Sequence, residues 1–406
     1  MDERRYYGLD ALRGGMMMLG IVLHAAMLYI AEPPPHHPFP TDRNTALAFD
    51  AILFFIHSFR MPTFFLLAGF FTSLLVEKRG VSGTYGNRAK RILAPLAVGM
   101  VTILPLTALF MIDYMLTTRY GTRDLLPDLD AWKRLSQEMV ARGIRIDKPT
   151  LGHLWFLYYL CFFYLLIPLC RFLVRCSLRF EDRLRRWMAS PLLLLPFVLY
   201  TAATLWPFGG GVLLTDYASL EPHLPSLIYF VSFFVLGYLV HYYLDFLPAL
   251  SNRITYWALL ALIAFPLAAL FTRLDIGARG ASAALHLGAV LANALCTWAL
   301  VYLFIGSALR FFDRASPWIL YVSQSAYWVF LVHLPLVFFA GWWLLPFDFP
   351  AALKFLIVCA FASTMAFLTF HYWVQKTWIS DFLHGRRFDL DWPWREPAAA
   401  QSGASV

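Results

Sequence analysis

Charged residues are scarce in this sequence: Asp, Glu, Lys and Arg make up 14% of its 406 residues, against 60% hydrophobic and 17% aromatic residues. So few charges exclude an ordinary soluble globule. The composition predicts an all-α, polytopic integral membrane protein, because helices satisfy their own backbone hydrogen bonds in lipid. The net charge of +8 does not indicate nucleic-acid binding, since the basic residues are spread between apolar runs.

Motifs for several other functions are missing. The five cysteines form no CxxC pair and show no His/Cys ligand spacing, so we expect neither a disulfide framework nor a metal site. The sequence contains no GxGxxG, no GxxxxGK followed by Ser or Thr, and no internal repeat. It therefore gives no support for a Rossmann nucleotide site or a nucleotide-driven pump.

Apolar runs divide the chain into candidate membrane spans. We predict about ten transmembrane helices, near 10–30, 48–76, 91–115, 154–173, 191–206, 226–243, 254–271, 284–306, 319–343 and 351–372. Lys and Arg are about twice as frequent on the side of the membrane that holds the N-terminus, so we expect both termini in the cytoplasm.

This pattern predicts one transmembrane domain over 1–376 and a cytoplasmic tail over 377–406, whose small polar end we expect to be disordered. The outer loop over about 116–152 contains a helix-like stretch at 130–142. It is interpreted either as a segment that contacts substrate or as a solvated cap.

Two ionisable residues lie on one face of the first span. Arg13 and His24 are eleven residues apart, which places them within roughly 20° of one another around a helix and about 16 Å apart along its axis. An ionisable side chain inside a membrane costs at least ~2–3 kcal/mol and indicates a functional site. We therefore predict catalytic roles for Arg13, at the cytosolic surface, and for His24, near the bilayer midplane.

The second span contributes another histidine and arginine. His57 and Arg60 are three residues apart and share a helix face, while Asp50 lies nearer the outer surface. Pro62 is expected to kink or break the helix just below them. We predict a polar cavity between the first two spans, with His57 and Arg60 catalytic and Asp50 contacting substrate. Interhelical hydrogen bonding by the histidines and a solvated Asp50 are the alternatives.

Three cations, Arg88, Lys90 and Arg91, precede the third span on the cytosolic side. Such a cluster suits an anionic phosphate, either of a lipid headgroup or of a phosphorylated donor, and Arg13 would join it. Anchoring by the positive-inside rule is the alternative.

Further polar residues occur at the start of the fourth span and within the ninth. His153 and Trp155 begin the fourth span, and Ser325 and His333 lie in the ninth. We predict that they bind substrate, although an interfacial belt would also explain His153 and Trp155.

These groups together suit the transfer of an acyl group. A neutral imidazole can act as general base on an acceptor hydroxyl, and nearby arginines can stabilise the resulting oxyanion. Because the sequence has no serine nucleophile elbow and no Cys-His pairing, direct transfer is the simpler hypothesis, and a transient acyl-histidine stays open.

The pattern of these motifs resembles the acyltransferase-3 integral-membrane family. The resemblance is carried by Arg13 with His24, Arg88-x-x-Arg91 before Pro95, His153-Leu-Trp-Phe-Leu157, and Ser325 through His333-x-Pro335. The run from Ile56 to Met61 is similar to the glucan-succinylating branch of that family.

The family resemblance implies a ten-span protein of the bacterial inner membrane that passes an acyl group from cytosolic acyl-CoA to a periplasmic glycan. Arg13 and His24 would be essential, and Arg88 and Arg91 would lie near the coenzyme. The branch implies succinyl-CoA as donor and an osmoregulated periplasmic glucan as acceptor. One departure is Phe54, which stands where a member of the family has a carboxylate.

The sequence thus predicts a membrane O-acyltransferase with His24 as general base. The expected partners are the lipid bilayer, acyl-CoA and a periplasmic glucan, and no metal is expected. A succinyl carboxylate would need another cation, for which Arg60 is a candidate. O-acetyl transfer from acetyl-CoA to another surface glycan and secondary transport of an anion are the alternatives, and the missing repeat argues against transport. A non-enzymatic scaffold would not need cations and imidazoles at depth. The acyl group, the acceptor, the group that orients His24 and the oligomeric state, a homodimer included, stay open.

Overall fold

The computed structural model describes residues 6–33, 39–121, 128–141, 150–188, 190, 194–213, 219–244, 246–279 and 281–394. Within these ranges the regular structure is helical, apart from one isolated antiparallel bridge between Thr150 and Ser219. The all-α prediction is confirmed.

Sixteen α-helices follow one another in the described residues. They are α1 (Tyr7–Met27), α2 (Leu47–Arg88), α3 (Ala94–Val101), α4 (Ile103–Tyr120), α5 (Leu129–Ala141), α6 (Trp155–Leu165), α7 (Ile167–Leu178), α8 (Glu181–Met188), α9 (Leu194–Leu205), α10 (Leu224–Val240), α11 (Phe246–Ser251), α12 (Ile254–Gly277), α13 (Ala283–Phe311), α14 (Pro317–Leu344), α15 (Ala351–Thr369) and α16 (Trp378–His384).

Several helices are long and apolar enough to cross a membrane. By length and composition the described residues contain six such segments: Tyr7–Met27, Leu47–Val101, Ile254–Gly277, Ala283–Phe311, Pro317–Leu344 and Ala351–Val374. The pair α6 and α7, bent by 55°, makes a seventh if it is one span, and α9 and α10 are shorter apolar helices. A multi-pass membrane protein is therefore confirmed, while the count of ten spans and the cytoplasmic termini stay predictions.

Helix α1 lies at the centre of the bundle and packs against α2, α13, α14 and α15. It runs parallel to α14, since Arg13 contacts Ser323 near one end and His24 contacts His333 further along. Helix α2 runs the opposite way. This arrangement brings the polar residues of three helices to the same depth.

Helices α2 and α10 approach closely at two glycines. A methyl group added at Gly69 would collide with the backbone of Phe234, and one at Gly237 would collide with the backbone of Leu66. Small residues allow two helix backbones to pack in contact where no hydrophobic force joins them in lipid. This contact holds the middle of α2 in place, next to the segment that carries Arg60.

Of the kink or break predicted at Pro62, the break is not found, and the kink stays a prediction. Helix α2 is continuous through Pro62, and its one non-helical residue is Gly80, with φ of 68° and ψ of 176°. Proline at this position frees the carbonyl of Ser58, which would otherwise accept a bond from the proline N–H. The Thr297 hydroxyl of α13 donates to that carbonyl at 2.9 Å. A neighbouring helix therefore supplies the missing hydrogen bond and α2 stays intact.

Two peripheral segments also form helices. The stretch predicted at 130–142 corresponds to α5, whose Leu135 and Met139 pack with Leu116. Beyond the last long helix, α16 folds back onto the bundle, with Leu383 buried in the main core. The end of the tail predicted to be disordered lies outside the described residues.

Candidate active site

Three histidines from different helices meet inside the bundle. The ring of His333 lies 5.2 Å from that of His24 and 5.1 Å from that of His153, measured between centroids. His24 belongs to α1, His333 to α14, and His153 to the short turn Gly152–Leu154 before α6. The side chains of His153 and His333 are buried. Three imidazoles therefore line one site that no single span could form.

Backbone hydrogen bonds determine which nitrogen of two rings carries a proton. Nδ1 of His333 lies 2.7 Å from the Phe330 carbonyl, and Nε2 of His153 lies 3.1 Å from the Leu331 carbonyl. A carbonyl only accepts, so these nitrogens donate, and in the neutral rings Nε2 of His333 and Nδ1 of His153 carry the lone pairs. Both of those nitrogens, and Nδ1 of His24, are buried without a hydrogen-bond partner among the described residues.

The bond from His153 has a local cause. Pro335 in α14 has no N–H, which leaves the Leu331 carbonyl without its usual helical donor. Nε2 of His153 donates to that carbonyl and so replaces the missing bond. The proline thus fixes the orientation of an imidazole on a neighbouring segment.

Arg60 of α2 lies beside the histidines and is buried. Its Nε donates to the Met16 carbonyl of α1 at 2.8 Å, and its guanidinium lies 5.5 Å from the ring centre of Phe64. A methyl group added at Gly20 would overlap a terminal nitrogen of this guanidinium. Because residue 20 is glycine, the guanidinium of Arg60 can pack against α1.

These side chains surround a cavity with about 300 Å³ of empty space, which we call the histidine cavity. It is lined by Met17, His24, Arg60, Met61, Phe64, His153, Trp155, Phe156, Phe330 and His333. In the described part of the chain, no group of three or more His, Cys, Asp or Glu side chains could hold a metal ion. The lining combines basic nitrogens, one cation and aromatic walls.

A second cavity adjoins the first and has about 460 Å³ of empty space. His57 lines it, with Nε2 2.8 Å from the Leu213 carbonyl, together with Ser58, Asn293 and Thr297. Met61 and Trp155 line both cavities. The structure therefore brings His24 and Arg60 together, as the sequence predicts, but places His57 in the neighbouring cavity.

Two predicted substrate residues lie apart from both cavities. Asp50 accepts hydrogen bonds from the backbone N–H groups of Ala31 and Glu32, at 2.8 and 3.0 Å, and so holds the chain that follows α1. Ser325 is buried, and its hydroxyl donates to the Val322 carbonyl of its own helix. Their roles in substrate binding stay predictions.

The cations predicted to lie on the cytosolic side do not all meet in the structure. Arg13 pairs with Asp10 at 2.9 Å, and Arg88 donates weakly to Thr72 at 3.4 Å. Lys90 is exposed. Arg91 turns towards α16, where its guanidinium donates to backbone carbonyls. The expected trio of phosphate ligands, Arg88, Lys90 and Arg91, is therefore divided within the π-helical turn Ala89–Leu93 and the residue before it.

Sequence reasoning treated His153 and His333 as separate substrate contacts and missed that they meet His24. It also missed the walls of the histidine cavity, Phe156 and Phe330. Both residues lie inside segments that carry the family resemblance, but aromatic residues make up 17% of the chain, so an aromatic side chain alone does not single them out.

The fold and the site define a multi-pass helical membrane protein with a buried site of histidines and an arginine. The chain belongs to the acyltransferase-3 family, because the family model described as an acyltransferase domain matches residues 6–373. It is a membrane protein of an acyltransferase family.

Curated relatives agree with this assignment. The chain is 24% identical over 369 residues to glucans biosynthesis protein C of Escherichia coli O1:K1 / APEC, covering 85% of this chain and 86% of the relative. The protein of the same name from Escherichia coli strain K12 matches with the same identity and coverage. No solved structure matches the chain.

Proposed function

We propose that this protein is an O-acyltransferase of the bacterial inner membrane that moves an acyl group, succinyl favoured, from cytosolic acyl-CoA to hydroxyls of a periplasmic glucan. The observation that carries the proposal is the histidine cavity, which Arg60 lines together with three imidazoles, each with one buried nitrogen that has no hydrogen-bond partner among the described residues. Basic nitrogens beside a fixed cation are what proton removal and oxyanion stabilisation require. The names of the relatives support a glucan as acceptor.

In this proposal His24 is the general base. Its imidazole removes the proton of the acceptor hydroxyl, whose oxygen attacks the thioester carbonyl carbon of the donor. The carbon–sulfur bond then breaks, the ester forms, and the thiolate of coenzyme A receives the proton held by His24. Acceptor and acyl-CoA thus become acyl ester and free coenzyme A without an acyl-enzyme.

Arg60 is proposed to stabilise the oxyanion. Its guanidinium is already held by the Met16 carbonyl, so it needs little reorganisation during the reaction. The lone pairs of His153 and His333 face the same cavity and are proposed to contact the acceptor hydroxyls. The donor is proposed to enter from the end of α1 that carries Arg13.

Transfer of label tests the proposal. Purified protein in lipid nanodiscs would be incubated with radiolabelled succinyl-CoA or acetyl-CoA and with either a periplasmic glucan or another surface glycan. We expect label on the glucan, more from succinyl-CoA, and none with His24→Ala. His223→Ala is a matched control, because His223 precedes α10, hydrogen-bonds to Ser226 in the first turn of that helix, and lines neither cavity. Binding of acyl-CoA without any transfer of label would refute the proposal.

A further inference from the structure

Unpaired polar atoms also collect at the end of the bundle that carries Arg13. Nε of Arg13 and Nε of Arg88 are buried without hydrogen-bond partners among the described residues. His384 is the last residue of α16. Both of its ring nitrogens are buried and have no hydrogen-bond partner among the described residues. These atoms come from three separate helices.

The three side chains are neighbours. The guanidinium of Arg13 lies 5.8 Å from the ring centre of Phe71, while Arg88 contacts the next residue of α2, Thr72. His384 lies close enough to Arg13 for that charge to act on its ring. Tyr327 lies near both His384 and Arg88, since its ring is 6.1 Å from that of His384 and it also experiences the charge of Arg88.

The position of His384 depends on Arg91. The Arg91 guanidinium donates to the carbonyls of Asp381 and Phe382, the latter at 2.7 Å, and so fastens the last turn of α16 to the bundle. Gly385 follows with φ of 82°, and a methyl group there would stand 2.6 Å from a terminal nitrogen of Arg91. The arginine can therefore reach the helix end only because glycine follows it.

The charge state of His384 suits an anionic ligand. Burial, the largest cause, and the charges of Arg13, Arg386 and Arg91 together lower the pKa of His384 to about 4, against a backbone interaction with Ser380 that raises it. The ring is therefore neutral at pH 7, with one nitrogen that donates and one that accepts. A neutral donor surrounded by cations can bind an anion without adding to their mutual repulsion.

Unpaired buried donors are rare in folded proteins, because each costs about 1–3 kcal/mol of lost hydration. Here such donors converge from α1, α2 and α16. The economical explanation is a ligand that supplies the missing acceptor oxygens. Phosphate esters do so with several charged oxygens, and arginine and histidine donors bind them well.

We propose that His384 binds a phosphate group of the acyl donor together with Arg13 and Arg88, and that α16 forms one wall of the donor site. This inference rests on the proposed function, which names acyl-CoA as the donor. Arg91 is then a positioning residue that holds α16 in place rather than a direct ligand of the phosphate.

Binding of coenzyme A tests the inference. Isothermal titration would be performed on the full chain in nanodiscs of phosphatidylcholine, for the wild type and for His384→Ala, His384→Gln and Arg387→Gln. We expect about 10-fold weaker binding for His384→Ala and partial recovery for His384→Gln, which keeps an N–H donor. Arg387→Gln is the control, because Arg387 is 59% exposed and pairs with Asp381. We expect it to bind as the wild type does.

Kinetics distinguish ligand contact from a structural effect. His384→Ala should raise the KM for acyl-CoA with little change in kcat. Arg91→Ala should have a similar effect, and the double variant should lose less than the sum of the two, since both residues act through α16.

The outcomes separate this inference from the proposed function. Equal binding by wild type and His384→Ala would overturn the role of His384 and leave acyl transfer intact. If the wild type does not bind coenzyme A, the proposal that acyl-CoA is the donor is overturned. A third outcome is that coenzyme A does not bind, while native mass spectrometry shows phosphatidylglycerol retained by the wild type and lost in His384→Ala. This result would identify a lipid headgroup as the ligand and overturn the assignment.

Discussion

The contact between Gly20 and Arg60 offers a way to move the proposed oxyanion donor without touching its charge. In Gly20→Ala the new methyl group would overlap a terminal nitrogen of Arg60 and stand 3.1 Å from its Cζ. The guanidinium must therefore shift, and the bond from its Nε to the Met16 carbonyl, 2.8 Å long, must lengthen or break. The perturbation reaches the site through geometry alone.

The size of the effect follows from the hydrogen bond that Arg60 is proposed to donate to the oxyanion, which a displaced guanidinium would lose. Hydrogen bonds from charged groups contribute about 1.5–3 kcal/mol, and each 1.4 kcal/mol corresponds to a factor of 10 in rate. If Arg60 stabilises the oxyanion, kcat should fall about 10- to 100-fold. The KM for acyl-CoA should not change, because the donor is proposed to bind at the Arg13 end of the bundle.

The assay is the initial rate of label transfer from acyl-CoA to glucan, with the melting temperature measured in parallel. Gly15→Ala is the matched control, since it lies on the same helix and an added methyl meets nothing within 4 Å. Both changes improve helix propensity by about 0.5–1 kcal/mol, so a propensity effect appears in both. A kcat for Gly20→Ala within twofold of that for Gly15→Ala would refute the role assigned to Arg60.

Three further predictions concern other sites. His24→Ala should abolish transfer while the protein still elutes as a folded species on size exclusion, and full activity would contradict its role as base. Thr297→Val should lower the free energy of unfolding by about 1–3 kcal/mol in a denaturant titration, because the carbonyl freed by Pro62 loses its donor. An unchanged midpoint would show that α2 does not need that bond. Stability should fall as the pH drops from about 6.5 towards 4, because unfolded His384 takes up a proton that the buried ring, with its pKa lowered to about 4, does not. The loss of stability is at most about 3 kcal/mol and should be smaller in His384→Gln. If the free energy of unfolding falls equally with pH in the wild type and in His384→Gln, this origin is contradicted.

Each cavity is lined by a side chain that donates to a carbonyl left free by a proline in a neighbouring helix. Thr297 donates to the Ser58 carbonyl below Pro62, and Ser58 and Thr297 line the second cavity. His153 donates to the Leu331 carbonyl below Pro335, beside the histidine cavity. In lipid a freed carbonyl must find a donor inside the protein, so each proline fixes the position of a side chain on its neighbour. This pairing sets the shape of the proposed active site.

Some features of the site could be predicted from local sequence. The spacing of Arg13 and His24 depends only on helix geometry, and both residues lie on α1 as expected. Arg60 could be recognised as a candidate site residue, because burying a charge within an apolar run costs free energy and such residues are usually functional. It could not be predicted that His57 and Arg60 line different cavities, because this depends on which neighbouring helices pack against each side of α2.

The sequence by itself determined the class of this protein: its scarcity of charge and its long apolar runs leave helices in a membrane as the fold, and its motifs indicate the family. Tertiary structure alone decided that His24, His153 and His333 share one cavity, that Arg91 fastens α16, and that Thr297 keeps α2 intact at Pro62. The physical reason is that periodicity and composition act along one helix, whereas these contacts join residues 180 to 309 positions apart in the chain, and nothing local specifies which distant carbonyl or ring will be met.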